Sequence, residues 1–258
     1  MATLLESGNR PRAGAGQEAL AAWLAPRLDY AGKIHAMERQ RETELMDDYA
    51  QARAYAEADF EDPHSDFIAN FRHDFGNGEM RGHVLDLGCG PGDITLRFAR
   101  AYPGCVVHGL DGSEPMLRFG RERLLRSPEL AKRVELFQGM VPGPDLPLER
   151  YDIIISNSLL HHLPRGPLLW EEVQRLGRPG APVFIMDLRR PSSREHARRL
   201  VDRYTGNEPE ILRRDFYNSL LASFRAPELK KQLDRAGLAG FRVRETDDRH
   251  ITVSGRLP

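Results

Sequence analysis

Long apolar runs, a charge imbalance and a cysteine framework are all missing from this chain, and each gap removes a class of explanation. No stretch of eighteen apolar residues occurs and the N-terminus shows no basic-then-apolar leader, so neither a membrane span nor a secretory signal is expected. Cysteine is scarce. Cys89 and Cys105 make no metal-type spacing and read as reduced core residues, which fits a soluble, cytoplasmic protein with no metal. The 37 Lys and Arg nearly cancel the 38 Asp and Glu, so no global field draws polyanions and no nucleic-acid partner is expected. Internal repeats are lacking too. What is present is a chain of 258 residues, 40% hydrophobic, which suits one large domain with appendages.

Residues 1–26 are rich in Ala, Gly, Arg and Pro, as in Arg10-Pro11-Arg12-Ala13-Gly14, and are expected to be a poorly ordered tail. Residues 27–80 read as an N-terminal helical cap, in which Tyr49, Ala52 and Ala56 share one helical face. From residue 81 to 258 the pattern turns to strand–helix alternation. Strands are expected at His83–Leu87, Cys105–Leu110, Arg133–Phe137, Tyr151–Ser156 and Ala181–Asp187. The fourth is nearly continuous in β-branched residues and so is expected to be buried on both faces. Ser113 caps a helix whose Pro115 sits in the first turn, where a missing N–H costs nothing. Residues 188–225 break the alternation as a helical insertion, a candidate cap over a ligand. A helix from Pro227 to Gly237 follows, then strands Phe241–Arg244 and Ile251–Ser254 as an antiparallel edge pair. Parallel neighbours need crossovers, so this rhythm implies an α/β sheet with helices on both faces.

The stretch Val84-Leu85-Asp86-Leu87-Gly88-Cys89-Gly90-Pro91-Gly92-Asp93 runs an apolar strand into a turn with three alternating glycines. Glycine tolerates positive φ and lets a ligand lie against the backbone. A dinucleotide site would instead show G-x-G-x-x-G over a pyrophosphate. Here Asp93 follows the turn and Asp86 precedes it, and two carboxylates suit a ligand carrying an ammonium and a sulfonium. The segment resembles motif I of the class I S-adenosylmethionine-dependent methyltransferases. Val107-His108-Gly109-Leu110-Asp111-Gly112-Ser113 is similar to that family's acidic ribose motif, and Tyr151-Asp152-Ile153-Ile154-Ile155-Ser156-Asn157 to its fourth-strand motif.

The resemblance implies a Rossmann-like, mostly parallel seven-stranded sheet and S-adenosylmethionine as cofactor. The implied contacts are Asp86, Gly88, Cys89, Gly90 and Gly92 in the turn, then Asp111, Gly112 and Ser113, then Gly139, Met140 and Asn157. Met140 stands where the family commonly has an Asp that meets the adenine amine. Its thioether can pack on the ring face, leaving the ring edge to backbone near Gly139. The Asn/Asp-Pro-Pro motif of amide and adenine methylation is replaced by Asn157-Ser158-Leu159-Leu160, which favours a small-molecule acceptor.

His161 and His162 are the candidate catalytic residues. Either can serve as a general base if the acceptor must lose a proton, or shape the pocket instead. A metal site combining them with His250 lacks compact spacing. Arg189 and Arg190, after the fifth strand, could hold an acidic acceptor, or lie in a solvated loop. Tyr55, Phe60, Phe216 and Tyr217 are candidate apolar lining. The alternatives are an NAD(P)-dependent oxidoreductase, a non-catalytic nucleoside-binding protein and an RNA methyltransferase.

Overall fold

A computed structural model describes residues 37–42, 46–143 and 146–258. The expected tail and the first part of the cap lie outside these residues. Seven strands form one sheet: β1 (Arg81–Leu87), β2 (Gly104–Asp111), β3 (Val134–Gln138), β4 (Ile153–Asn157), β5 (Pro182–Leu188), β6 (Arg242–Glu245) and β7 (His250–Arg256). Their order is β3-β2-β1-β4-β5-β7-β6, with β7 antiparallel to both neighbours and every other pairing parallel. This is the Rossmann-like arrangement implied by the sequence. Strand bounds agree to within three residues at each end. Tyr151 falls outside β4 and makes an isolated bridge to Gly177.

The period of two along each strand sorts side chains onto the two faces. Leu85, Leu87, Ile154, Val183 and Ile185 point into one core, and Val84, Ile153, Ile155, Phe184 and Met186 into the other. Helices α1 (Tyr49–Glu57), α2 (Glu61–Phe75), α3 (Asp93–Ala101), α4 (Glu114–Leu125) and α5 (Pro128–Ala131) precede the second half of the sheet. Helices α6 (Pro167–Leu176), α7 (Arg194–Thr205), α8 (Glu210–Ala222) and α9 (Ala226–Arg235) follow. On the first face, Trp170 and Val173 of α6 and Leu229 and Leu233 of α9 close the core. The Trp170 indole N–H donates to Gln232 Oε1 at 3.0 Å, so burying the ring leaves no donor unpaired.

The two cap helices play different parts. Phe67 and Phe71 of α2 are fully buried and pack edge-on against Phe184 of β5, at 4.9 and 5.7 Å between centroids, so α2 is a layer of the sandwich. By contrast, α1 lies over the carboxyl ends of the strands. Its Tyr49 stacks on Phe119 of α4 at 5.6 Å. Ser113 caps α4 as expected, its hydroxyl accepting from the Met116 N–H at 3.2 Å. Among the described residues no helix is long and apolar enough to cross a membrane.

Candidate active site

Strand order reverses between β1 and β4, which opens a crevice beyond the carboxyl ends of the strands, the usual ligand position in open α/β sheets. A cavity of about 710 Å³ occupies it. Its floor is the set of strand ends: Gly88 after β1, Asp111 on β2, Gly139 after β3 and Asn157 on β4. Its roof comes from Gln51 and Tyr55 of α1 and Leu212, Asp215, Phe216 and Ser219 of α8. All eleven residues expected to meet the cofactor line this cavity except Gly92, which caps α3 from behind the turn. Tyr55, Phe60 and Phe216 also line it, but Tyr217 does not.

The glycine turn is built for close approach. Gly88 has φ +70°, and a Cβ there would stand 2.8 Å from Leu159 Cβ, so only glycine lets the β1 and β4 loops touch. At Gly90, φ is +53° and a Cβ would meet nothing within 4 Å. That open side faces the cavity. The Gly90 N–H donates to Asp111 Oδ2 at 2.7 Å and the Ser113 N–H to Oδ1 at 2.8 Å, which fixes the carboxylate at the turn. Burial raises the Asp111 pKa against the pull of these N–H donors. Cys89 is buried, and burial pushes its thiol well above the ordinary range, so it is inert packing. The Ser113 hydroxyl is already committed to its cap and to the Met46 carbonyl at 2.7 Å.

Asp86 is 1% exposed and its two oxygens differ. Oδ2 accepts from the Thr95 hydroxyl at 2.6 Å, whereas Oδ1 is buried with no partner. Burial pushes its pKa up to about 7, partly offset by Thr95 and reinforced by Asp111. An orphaned carboxylate oxygen at the head of the turn fits a cationic group of a ligand. Asp93, read from sequence as the second repelling carboxylate, is instead ion-paired with Arg123, which also holds the carbonyls of Pro91 and Ala56. Asp86 and Asp111 are the other carboxylates that line the cavity at the turn.

Beyond β4 the chain turns sharply. Ser158 takes φ +56°, rare for a residue with a side chain, and its N–H bonds the Met186 carbonyl at 2.9 Å. The turn presents His161 and His162 side by side, their rings 4.1 Å apart. Asp187, at the end of β5, clamps His161: Oδ1 meets Nδ1 at 2.6 Å and Oδ2 accepts the backbone N–H at 3.2 Å. Burial lowers the His161 pKa, but the Asp187 carboxylate outweighs it and holds the ring above its ordinary value. His162 shifts the other way, pushed well down by burial and by His161.

Arg189 and Arg190 do not reach the cavity. Arg189 pairs with Glu245, and Arg190 is buried with its guanidinium on the Ser223 carbonyl at 2.7 Å and on Glu228. The cationic side chains among the lining residues are Arg41 and Arg249, the latter over the Tyr204 ring at 3.5 Å.

Residues 84–180 match the family model described as a methyltransferase domain. The matched stretch resembles the methyltransferase domain of class I S-adenosylmethionine-dependent enzymes. Over 97 residues it is 36% identical to a trans-aconitate 2-methyltransferase of Mycolicibacterium gilvum, covering 36% of this chain and 34% of that protein. Over 111 residues it is 32% identical to a demethylmenaquinone methyltransferase of Lactiplantibacillus plantarum, covering 42% and 46%. The chain thus spans less than half the length of these curated relatives. Among solved structures, an S-adenosyl-L-methionine-dependent methyltransferase from Methanococcus maripaludis superposes with a TM-score of 0.61 at 19% identity, covering 85% of this chain and 98% of that one. That likeness concerns the fold, and the class I methyltransferase topology is the one described above.

Proposed function

We propose that the protein transfers a methyl group from S-adenosylmethionine to a small-molecule acceptor by in-line displacement. The observation that carries this reading is one roofed cavity running from the glycine turn and Asp111 to the His161–His162 pair. Its volume of about 710 Å³ falls within the roughly 300–1,000 Å³ of sites that bury most of a small ligand. When bound, S-adenosylmethionine supplies a methyl group activated by its sulfonium. The chain's task is then mainly to position the acceptor, a contribution worth roughly 7–11 kcal/mol in favourable cases.

In this reading Asp86 Oδ1 receives the methionine ammonium, and the bare face of Gly90 lets the donor lie against the backbone. Gly88, Cys89, Gly92, Gly112 and Ser113 hold the shape of that surface. Each Asp111 oxygen accepts one backbone N–H and keeps a lone pair for a ribose hydroxyl. Gly139 backbone and the Met140 thioether flank the adenine, and Asn157 borders the reacting centre. His161 and His162 engage the nucleophilic end of the acceptor. Arg41 and Arg249 favour an acceptor with a carboxylate, and the trans-aconitate 2-methyltransferase named among the relatives supports the same class.

Calorimetry with S-adenosylmethionine and, separately, NADH tests the donor site. Binding of NADH without binding of S-adenosylmethionine would overturn the reading. Labelled methyl transfer across a panel of small di- and tricarboxylic acids then tests the acceptor class, and transfer only to acceptors without a carboxylate would refute the role given to the two arginines.

A further inference from the structure

Sequence spacing offered no third ligand for His161 and His162, because the third group comes from the far end of the chain. Arg39 donates to the carbonyls of His161 at 2.8 Å and Leu163 at 3.1 Å, while the Gln40 N–H bonds the Leu221 carbonyl at 3.0 Å. These bonds strap residues 39–42 across the histidine loop. They deliver the Glu42 carboxylate to His162, with Oε2 3.7 Å from Nδ1 and fixed by the Ser219 hydroxyl at 2.9 Å. One ligand atom each from Glu42, His161 and His162 lies within 4.8 Å of the others.

We propose that Glu42, His161 and His162 form a binding site for a first-row divalent transition-metal ion at the acceptor end of the cavity. Three features carry it. His162 Nδ1 is buried with no hydrogen-bond partner, yet 3.7 Å is too long for a hydrogen bond to Glu42. Two ligands each about 2.1 Å from a tetrahedral ion stand about 3.4 Å apart, so that separation is close to what a shared ion requires. Finally, His161 gives its Nδ1 to Asp187, which leaves Nε2 as the ligating atom and reproduces the carboxylate–histidine–metal arrangement that orients metal-bound imidazoles. Two imidazoles and one carboxylate select ions such as Zn²⁺, Co²⁺ or Fe²⁺ over Mg²⁺ and Ca²⁺, which prefer oxygen ligands. Three protein ligands leave open coordination positions, where an oxygen of the acceptor completes the shell.

The site is tested with Co²⁺ on the full chain after removal of bound metal, without S-adenosylmethionine, so its failure leaves the methyl-transfer reading intact. Calorimetry should find one saturable Co²⁺ site. Glu42→Gln and His162→Gln should each weaken it at least tenfold, the scale of about 10-fold on which even supporting residues matter. His73→Gln, exposed and outside the cavity lining, should leave it unchanged. If either ligand variant misfolds by circular dichroism, proton NMR of the Co²⁺-loaded wild type decides. A far-downfield exchangeable imidazole N–H is expected from the ring held by Asp187. Absence of saturable Co²⁺ binding, equal affinity in folded Glu42→Gln and His162→Gln, or a bound ion with no shifted imidazole resonance would each overturn the proposal.

Discussion

Replacing Asp86 by Asn separates stability from ligand binding at one atom. Burial raises the folded-state pKa of this carboxyl from 3.8 to about 7. The unfolded chain therefore releases the proton near pH 4 while the folded chain keeps it to about pH 7. Between those values the folded state binds more protons, and stability falls as pH rises. A displacement of about 3 pKa units, at 1.36 kcal/mol each, sets an upper bound of about 4 kcal/mol on this loss. The amide of the Asp86→Asn variant cannot ionise and escapes it. Urea denaturation of both proteins from pH 4 to pH 8 should show the variant gaining on wild type by up to about 4 kcal/mol, with most of the gain before pH 7. Titrating groups that do not interact with Asp86 cancel in the difference. S-adenosylmethionine affinity should move oppositely, with the variant weaker by about 10- to 100-fold at pH 8, the scale of a hydrogen bond to a charged group. A stability difference that stays flat with pH would refute the argument, because Asp86 would then be ionised in the folded state without penalty.

Three further outcomes follow from the same geometry. Asp111→Ala should weaken S-adenosylmethionine binding at least tenfold in calorimetry, a loss of about 1.4 kcal/mol, while thermal unfolding stays cooperative. Gly88→Ala combines a positive φ with a 2.8 Å clash on Leu159, so its urea midpoint should fall by about 1–3 kcal/mol in stability and cofactor binding should be lost. Trp170→Ala empties the core beneath α6 and strips Gln232 of its donor. About 3–5 kcal/mol of stability should go, seen as a lowered melting temperature by circular dichroism.

The strands were legible because their apolar alternation is local, and so was the turn, because Gly88 and Gly90 need backbone angles that few other residues adopt. The cap on α4 was equally plain, since Ser113 and Pro115 act within one turn of themselves. What escaped was pairing across the chain. Nothing near Asp93 announces Arg123, and nothing near His161 announces Asp187 or Glu42. The position of Arg189 and Arg190 after β5 is plain in the sequence, but their partners Glu245 and Glu228 lie on elements that only the folded sheet brings alongside. Arg41 and Arg249 carry no local signal for the same reason.

The roof of the cavity has an evolutionary corollary. Glu42, Tyr55, Phe216 and Arg249 all lie outside the span 84–180 that matches the family model, whereas the turn, Asp111 and the histidine pair lie inside it. In the proposed reading the groups that hold the donor therefore lie within the matched stretch, while those around the acceptor come from both inside and outside it. Kinship over the shared stretch speaks for the donor, and much of the canopy over its guest is drawn from outside that stretch.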